Sequence, residues 1–308
     1  MPRDPFMIHT TYFLKNSIIL FLFLLMMPQR AFSNPMIKEP NVSGQFYSAD
    51  PKELRADIEK FMSAASNTPS PKHIDIIIAP HAGYIYSGPV AGYSFKAVSQ
   101  TPYKTIVILA PSHFYGFDGI SIWEKGGFKT PLGIADVDEE FTKKLMATNP
   151  NFYFDSKAFE REHSLEVEIP FLQKTFNDFK IVPIVFGQPS VQLLNDFAMS
   201  LKETIGDRKD VLIVVSTDLS HYHDDGFARE MDARTIGAIK ELNAKQIWME
   251  NQKRTMEMCG FIPVVTAILY AQHKGLTDVE LLNYGNSGDV TGDKSSVVGY
   301  SAIAIYGK

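Results

Sequence analysis

Three apolar runs in this chain end by delivering a histidine. Ile74 to Ala79 leads into Pro80-His81, Thr105 to Ala110 into Pro111-Ser112-His113, and Val211 to Val215 into Ser216-Thr217-Asp218-Leu219-Ser220-His221. Imidazole is the commonest metal-ligand side chain, and a rigid strand end can hold it in a defined coordination geometry. One such histidine is ordinarily a capping or solvated residue. Three of them, the last joined by Asp218, point to a shared site that binds a metal and moves protons.

Cys259 is the only cysteine, so the fold cannot rest on an intramolecular disulfide. It stands with Gly260 just before a helical pattern that starts at Phe261, with Pro263 in the first turn. A thiol there faces unsatisfied N–H groups that favour thiolate, which suits a ligand or a redox group. A buried structural thiol is the alternative reading. The run from Arg161 to Glu168 holds His163 with Glu162, Glu166 and Glu168. These carboxylates either orient metal-bound histidines or open a charged helix. His9, His73, His223 and His273 are set aside as structural or solvated. The polar loop from Asn286 to Asp293 fits neither an EF-hand nor a nucleophile elbow and is expected to pack beside the site.

The elements that must position these groups are strands at Ile74 to Ala79, Thr105 to Ala110, Ile181 to Phe186, Val211 to Val215 and Tyr300 to Tyr306. Helical periodicity appears at Pro51 to Ala65, Glu139 to Ala147, Leu165 to Phe176, Val191 to Ile205, Phe227 to Leu242 and Phe261 to His273. Near-continuous Ile/Val strands need cover on both faces. Their alternation with helices predicts a single-domain α/β fold, an αβα sandwich around a mostly parallel mixed sheet. Ligands in such sheets bind beyond the carboxyl ends of the strands, where the three histidines fall.

The chain has 308 residues, 45% hydrophobic and 21% charged, enough for a large core. A net charge of -5 gives no basic field, so nucleic acid is excluded as a general partner. Lys15, the apolar run from Ser17 to Met27, and Ala31-Phe32-Ser33 follow the order of a signal peptide. Residues 1–33 are therefore expected to be removed on export, leaving 34–308 as a secreted or periplasmic protein. A membrane contact would need the leader to stay uncleaved, and a misannotated start would make the protein cytoplasmic.

Taken in order, Ala79-Pro80-His81-Ala82-Gly83-Tyr84-Ile85-Tyr86-Ser87-Gly88, Pro111-Ser112-His113, Glu162-His163-Ser164-Leu165-Glu166, Ser216 to His221, Cys259-Gly260 and Ser287 to Asp293 resemble the successive motifs of the Memo family. The resemblance spans essentially the whole chain after the leader. It implies a fold similar to class III extradiol dioxygenases, His81, His113 and Cys259 as metal ligands, and Asp218 and His221 completing the pocket, with His221 as acid/base. Tyr86 resembles a pocket-wall residue. Phe46 stands where eukaryotic members often carry tryptophan, a departure that weighs against phosphotyrosine-peptide binding.

A cysteine in place of the carboxylate of the ring-cleaving enzymes shifts the site toward softer metals, iron or copper first and zinc third. The leading expectation is a metal-dependent redox enzyme acting on a small molecule or on oxygen. A module that binds a peptide, ligand or metal without turnover, and a zinc hydrolase, are the alternatives.

Overall fold

The structure is a computed structural model that describes residues 36–66 and 70–307; the leader expected at 1–33 lies outside the described residues. In chain order the elements are β1 (Ile37–Lys38), α1 (Pro51–Ala64), β2 (Ile74–Ala79), α2 (Tyr84–Val98), β3 (Thr105–Pro111), β4 (Ile120–Ile122), β5 (Gly127–Thr130), β6 (Gly133–Asp136), α3 (Glu139–Met146), β7 (Phe152–Tyr153) and α4 (Lys157–Glu160). There follow α5 (Glu168–Thr175), β8 (Lys180–Phe186), α6 (Val191–Ile205), β9 (Val211–Ser216), β10 (His221–His223), α7 (Asp225–Lys240), α8 (Ala244–Gln252), α9 (Phe261–Lys274), β11 (Val279–Asn286), α10 (Ser287–Thr291) and β12 (Val297–Tyr306).

The main sheet runs β10-β12-β2-β9-β3-β8-β4-β7, with β11 also paired to β12. Its centre, β2-β9-β3-β8, is parallel, while β12 and β4 join it antiparallel. Every residue of β2, β3 and β9 is buried, because helices cover both faces. Side chains alternate between the two covers. Ile76, Ile78, Val107 and Ile213 pack under α6 and α9, whereas Ile77, Ile106, Ile108 and Val214 pack under α1, α2 and α5. The αβα sandwich expected from the alternating patterns is the observed architecture. A small sheet, β1-β5-β6, packs Phe128 and Ala135 into the core that also holds α1, α2 and α5.

Local chemistry explains most element starts. Asp50 caps α1 by accepting from the amides of Lys52 at 2.8 Å and Glu53 at 3.0 Å, with Pro51 at the first helical position. Helix α2 escaped the sequence reading, which treated the segment after His81 as a strand-end motif only. Ser87, Gly88, Pro89 and Gly92 weaken its intrinsic propensity, and its less buried face carries Ile85, Tyr86, Pro89 and Tyr93, mostly apolar residues that erase the amphipathic period. Tertiary packing makes the helix. A Cβ on Gly88 would lie 2.5 Å from the Phe61 ring, and one on Gly92 2.7 Å from the Phe61 carbonyl carbon, so α1 and α2 meet only because both positions are glycine.

This close approach separates two glycine substitutions. Gly92→Ala should destabilise the protein by about 1–3 kcal/mol through overpacking. Gly237→Ala, in an α7 position with open space around it, should stabilise by about 0.4–1 kcal/mol. Urea denaturation midpoints of the two variants should shift in opposite directions.

Candidate metal-binding site

The strand order brings the site together. Because β9 lies between β2 and β3 and all three are parallel, Ala79 pairs with Ser216 and Leu109 with Val215, so the chain leaves three neighbouring strands at one edge. Adjacent strands are about 4.8 Å apart, a spacing that side chains can bridge. His81 follows β2, His113 follows β3, and Ser216 through His221 continue from β9.

One ring nitrogen from each of His81, His113 and His163 lies within 4.8 Å of the others. The ring centroids of His81 and His113 are 5.2 Å apart, and His163 stacks on His113 at 4.8 Å. The Cys259 sulfur is 3.2 Å from His81 Nε2. His81 thus links the two: its ring joins those of His113 and of His163, a residue expected only in support, and its Nε2 meets the Cys259 sulfur.

Each ligand-type histidine has a defined partner behind it. His113 Nδ1 is 2.9 Å from Glu162 Oε1, and the His113 amide donates to Glu162 Oε2 at 2.6 Å. Glu162 also accepts from the amides of His163 and Ser164 and from the Ser164 hydroxyl. Burial pushes the Glu162 carboxyl upward, but the bonds and charge of His113 and the Ser164 amide outweigh it and hold the group at about 2. An ionised Glu162 accepts a hydrogen bond from His113 Nδ1–H, which leaves His113 Nε2 with its lone pair free. His81 is almost fully buried, and burial with the neighbouring charges of His113, His163 and His221 drives its pKa well below the ordinary value. Its Nδ1 lies 2.8 Å from Ser216 Oγ. Imidazoles beside a sulfur form a donor set that fits a soft or borderline metal ion.

The surroundings of Cys259, not its position, correct one expectation. Gly260 directly precedes α9, as the sequence placed it. Burial, reinforced by the charge of Asp218, pushes the thiol above its ordinary range, although the amides of Asp218 and Gly260 oppose this. The helix start therefore does not by itself give a thiolate; proton loss there would have to come from a bound cation. The loop reaches β9 because residue 260 is glycine: a Cβ would lie 2.6 Å from Ser216 O. Thr217 Oγ1 accepts from the Gly260 amide at 2.9 Å, and the Asp218 amide points at the sulfur at 3.2 Å.

Asp218 Oδ1 accepts from the His81 amide at 2.8 Å, and burial raises its carboxyl to about 6. It meets His221 through charge, so its geometric task is to shape the turn after β2. His221 is half-buried and lines a cavity of about 360 Å³ with Glu257, Met258 and Cys259. A second cavity of about 600 Å³ joins Cys259 to Ser112, Gln188, Trp248, Asn251 and Arg254. Phe46 lays an edge on His163 at 4.8 Å. Glu166 does not touch the histidines; it accepts from the Asn41 and Val42 amides and the Tyr47 hydroxyl, tying down the segment that carries Phe46. Tyr86, in the first turn of α2, is 40% exposed.

Ser216, Thr217 and Ser164 are site residues to which the motifs assigned no role, whereas Glu168 stood among the acids expected to support the histidines. Only the density of polar residues in those two runs signalled the first three. Asn251 and Arg254 carried no signal, the first lying in the last turn of α8 and the second just past its end.

The chain matches the Memo-like protein family over residues 38–304. It is 35% identical to a MEMO1 family protein of Nitrosopumilus maritimus over 273 residues, which covers 87% of this chain and 99% of the relative. A MEMO1 family protein of Sulfolobus acidocaldarius is 36% identical over 281 residues, with 87% and 99% covered. That of Methanothermobacter thermautotrophicus is 35% identical over 277 residues, with 87% and 100% covered. The α/β sandwich with polar groups gathered at its central strand ends is thus a Memo-type domain. The chain belongs to the Memo family.

The buried imidazoles set the acid response. Burial lowers His163 to about 4 despite the opposing pull of Glu162. Between about 6.5 and 4 the unfolded chain then binds a proton that the folded one does not, so stability falls as pH falls through that window, by on the order of 3 kcal/mol. Asp218, raised to about 6, works in the opposite sense over much of this window, so the readout is the difference between proteins: from pH 6.5 to 4 the urea midpoint of metal-free His163→Gln should gain on that of the wild type.

Proposed function

We propose that this Memo-family protein is a metal-dependent redox enzyme acting on a small molecule or on oxygen, with iron or copper held by His81, His113 and Cys259 and zinc the less favoured ion. The observation that carries this reading is the Cys259 sulfur 3.2 Å from His81 Nε2, with His113 and His163 in the same ring-nitrogen cluster. Iron or copper, when bound, supplies one-electron chemistry and polarises a coordinated ligand. Thiolate and imidazole together favour such ions over the hard cations that oxygen ligands select.

The chain's own groups divide the remaining work. Glu162 keeps His113 in the tautomer that exposes Nε2. His221, at the edge of the cavity shared with Cys259, moves protons to or from the reacting molecule. The larger cavity beside Cys259 receives that molecule: Trp248, Phe261 and Ile262 offer apolar surface, and Gln188, Asn251 and Arg254 offer polar contacts. A recognition-only role for the same pocket draws on the exposed rings of Phe114 at 52% and Tyr222 at 77%.

The test is anaerobic purification of the chain from Asn34 onward, followed by elemental analysis. About one iron or copper per chain is expected, with affinity reduced at least tenfold in Cys259→Ser; for scale, loss of a supporting partner alone typically costs 10–100-fold. Absence of stoichiometric iron or copper, together with unchanged metal content in Cys259→Ser, would sink the reading. His221→Ala should retain the metal and lose turnover by about 10²–10⁴-fold; binding without any turnover in the metal-loaded wild type would favour the recognition role.

A further inference from the structure

Ser216 Oγ sits among three polar atoms: Ser164 O at 2.7 Å, Glu168 Oε1 at 2.7 Å and His81 Nδ1 at 2.8 Å. A hydroxyl has one hydrogen to give and two lone pairs to receive. The Ser164 carbonyl can only accept, so Ser216 must donate to it. If Ser216 gave its hydrogen elsewhere, two oxygen acceptors would face each other at 2.7 Å in a fully buried place. With that hydrogen spent, the other two neighbours must donate to Ser216. His81 must then carry its proton on Nδ1, and Glu168 must be a neutral carboxyl donating through Oε1.

Two further observations agree with this count. Glu168 is completely buried and its Oε2 has no hydrogen-bond partner, an arrangement far costlier for a carboxylate than for a neutral acid. Burial accordingly lifts its pKa well above the ordinary carboxyl value, with Asp218 adding to the rise. On the opposite side of the imidazole, the Cys259 thiol at 3.2 Å can donate to a bare Nε2.

We propose that Ser216, locked between the Ser164 carbonyl and a neutral Glu168, is the positioning residue that fixes His81 as the Nδ1–H tautomer and so keeps Nε2 open toward Cys259. The two ligand-type histidines are thereby supported differently. His113 leans on the ionised Glu162, whereas His81 leans on an uncharged hydroxyl, which makes His81 the less basic donor. The consequence for metal binding rests on the metal-site reading above, but the tautomer itself does not.

The test uses the metal-free protein with ¹⁵N-labelled histidine and long-range ¹H–¹⁵N correlation, the His81 signal being assigned with His81→Gln. The wild type should show His81 protonated at Nδ1. In Ser216→Ala the Nδ1–H tautomer should lose its dominance, and affinity for Co(II) alone, read by ligand-field absorption, should fall about 10–100-fold. Glu168→Gln, whose amide can donate to Ser216 in place of the neutral carboxyl, should keep the tautomer and hold affinity within a few-fold of wild type.

An Nε2–H tautomer in the wild type overturns the proposal without any variant having to fold. So does Ser216→Ala with tautomer and affinity unchanged, and so does Glu168→Gln that loses the tautomer. The Nδ1–H tautomer in a wild type that binds no Co(II) would leave the positioning intact and refute the metal-site reading instead.

Discussion

Parallel pairing of β9 between β2 and β3 forces three chain segments to leave the sheet side by side, and everything at the site answers to that geometry. Parallel strands place their carboxyl ends at one edge, where carbonyls and amides of the departing loops lose their ladder partners and must find others. Here they find them in the functional side chains. The His81 amide goes to Asp218, the His113 amide to Glu162, and the Thr217 amide returns to Ala79 O. Groups that serve the chemistry therefore also close the backbone account of the sheet edge, which restricts how far any of them can shift.

Burial then decides charge. The edge collects three imidazoles, a thiol and several carboxylates in a volume with little water, and each group responds according to its partners. Glu162 stays ionised because several donors converge on it, while Asp218 and Glu168 are pushed toward the neutral form. His81 and His163 are held neutral, and the thiol keeps its proton until something replaces it. Neutral imidazole nitrogens and a displaceable thiol proton are what a cation needs on arrival.

Much of this was legible in the residues. Apolar runs without alternation gave the central strands, and their endings gave His81, His113, Asp218 and His221, because strand-end positions in an α/β sheet are fixed by the fold. Glu162 was legible as a histidine partner. Glu166 looked equivalent in sequence, yet it serves the Asn41–Tyr47 segment, since only coordinates reveal which of two nearby acids turns inward. Helix α2 was invisible because its glycines and Pro89 oppose helix formation and its outer face, with Ile85, Tyr86 and Tyr93, is itself apolar. The thiol's chemistry was misjudged for a similar reason: a helix dipole can be inferred from position, but desolvation depends on what packs above the sulfur.

Two imidazoles and a thiolate around one ion form the centre of this account, and X-ray absorption at the metal edge of the anaerobically loaded protein measures that arrangement directly. The account expects a sulfur scatterer at about 2.3 Å alongside imidazole nitrogens, with the sulfur shell gone in Cys259→Ser. A first shell made only of nitrogen and oxygen in the wild type would contradict it.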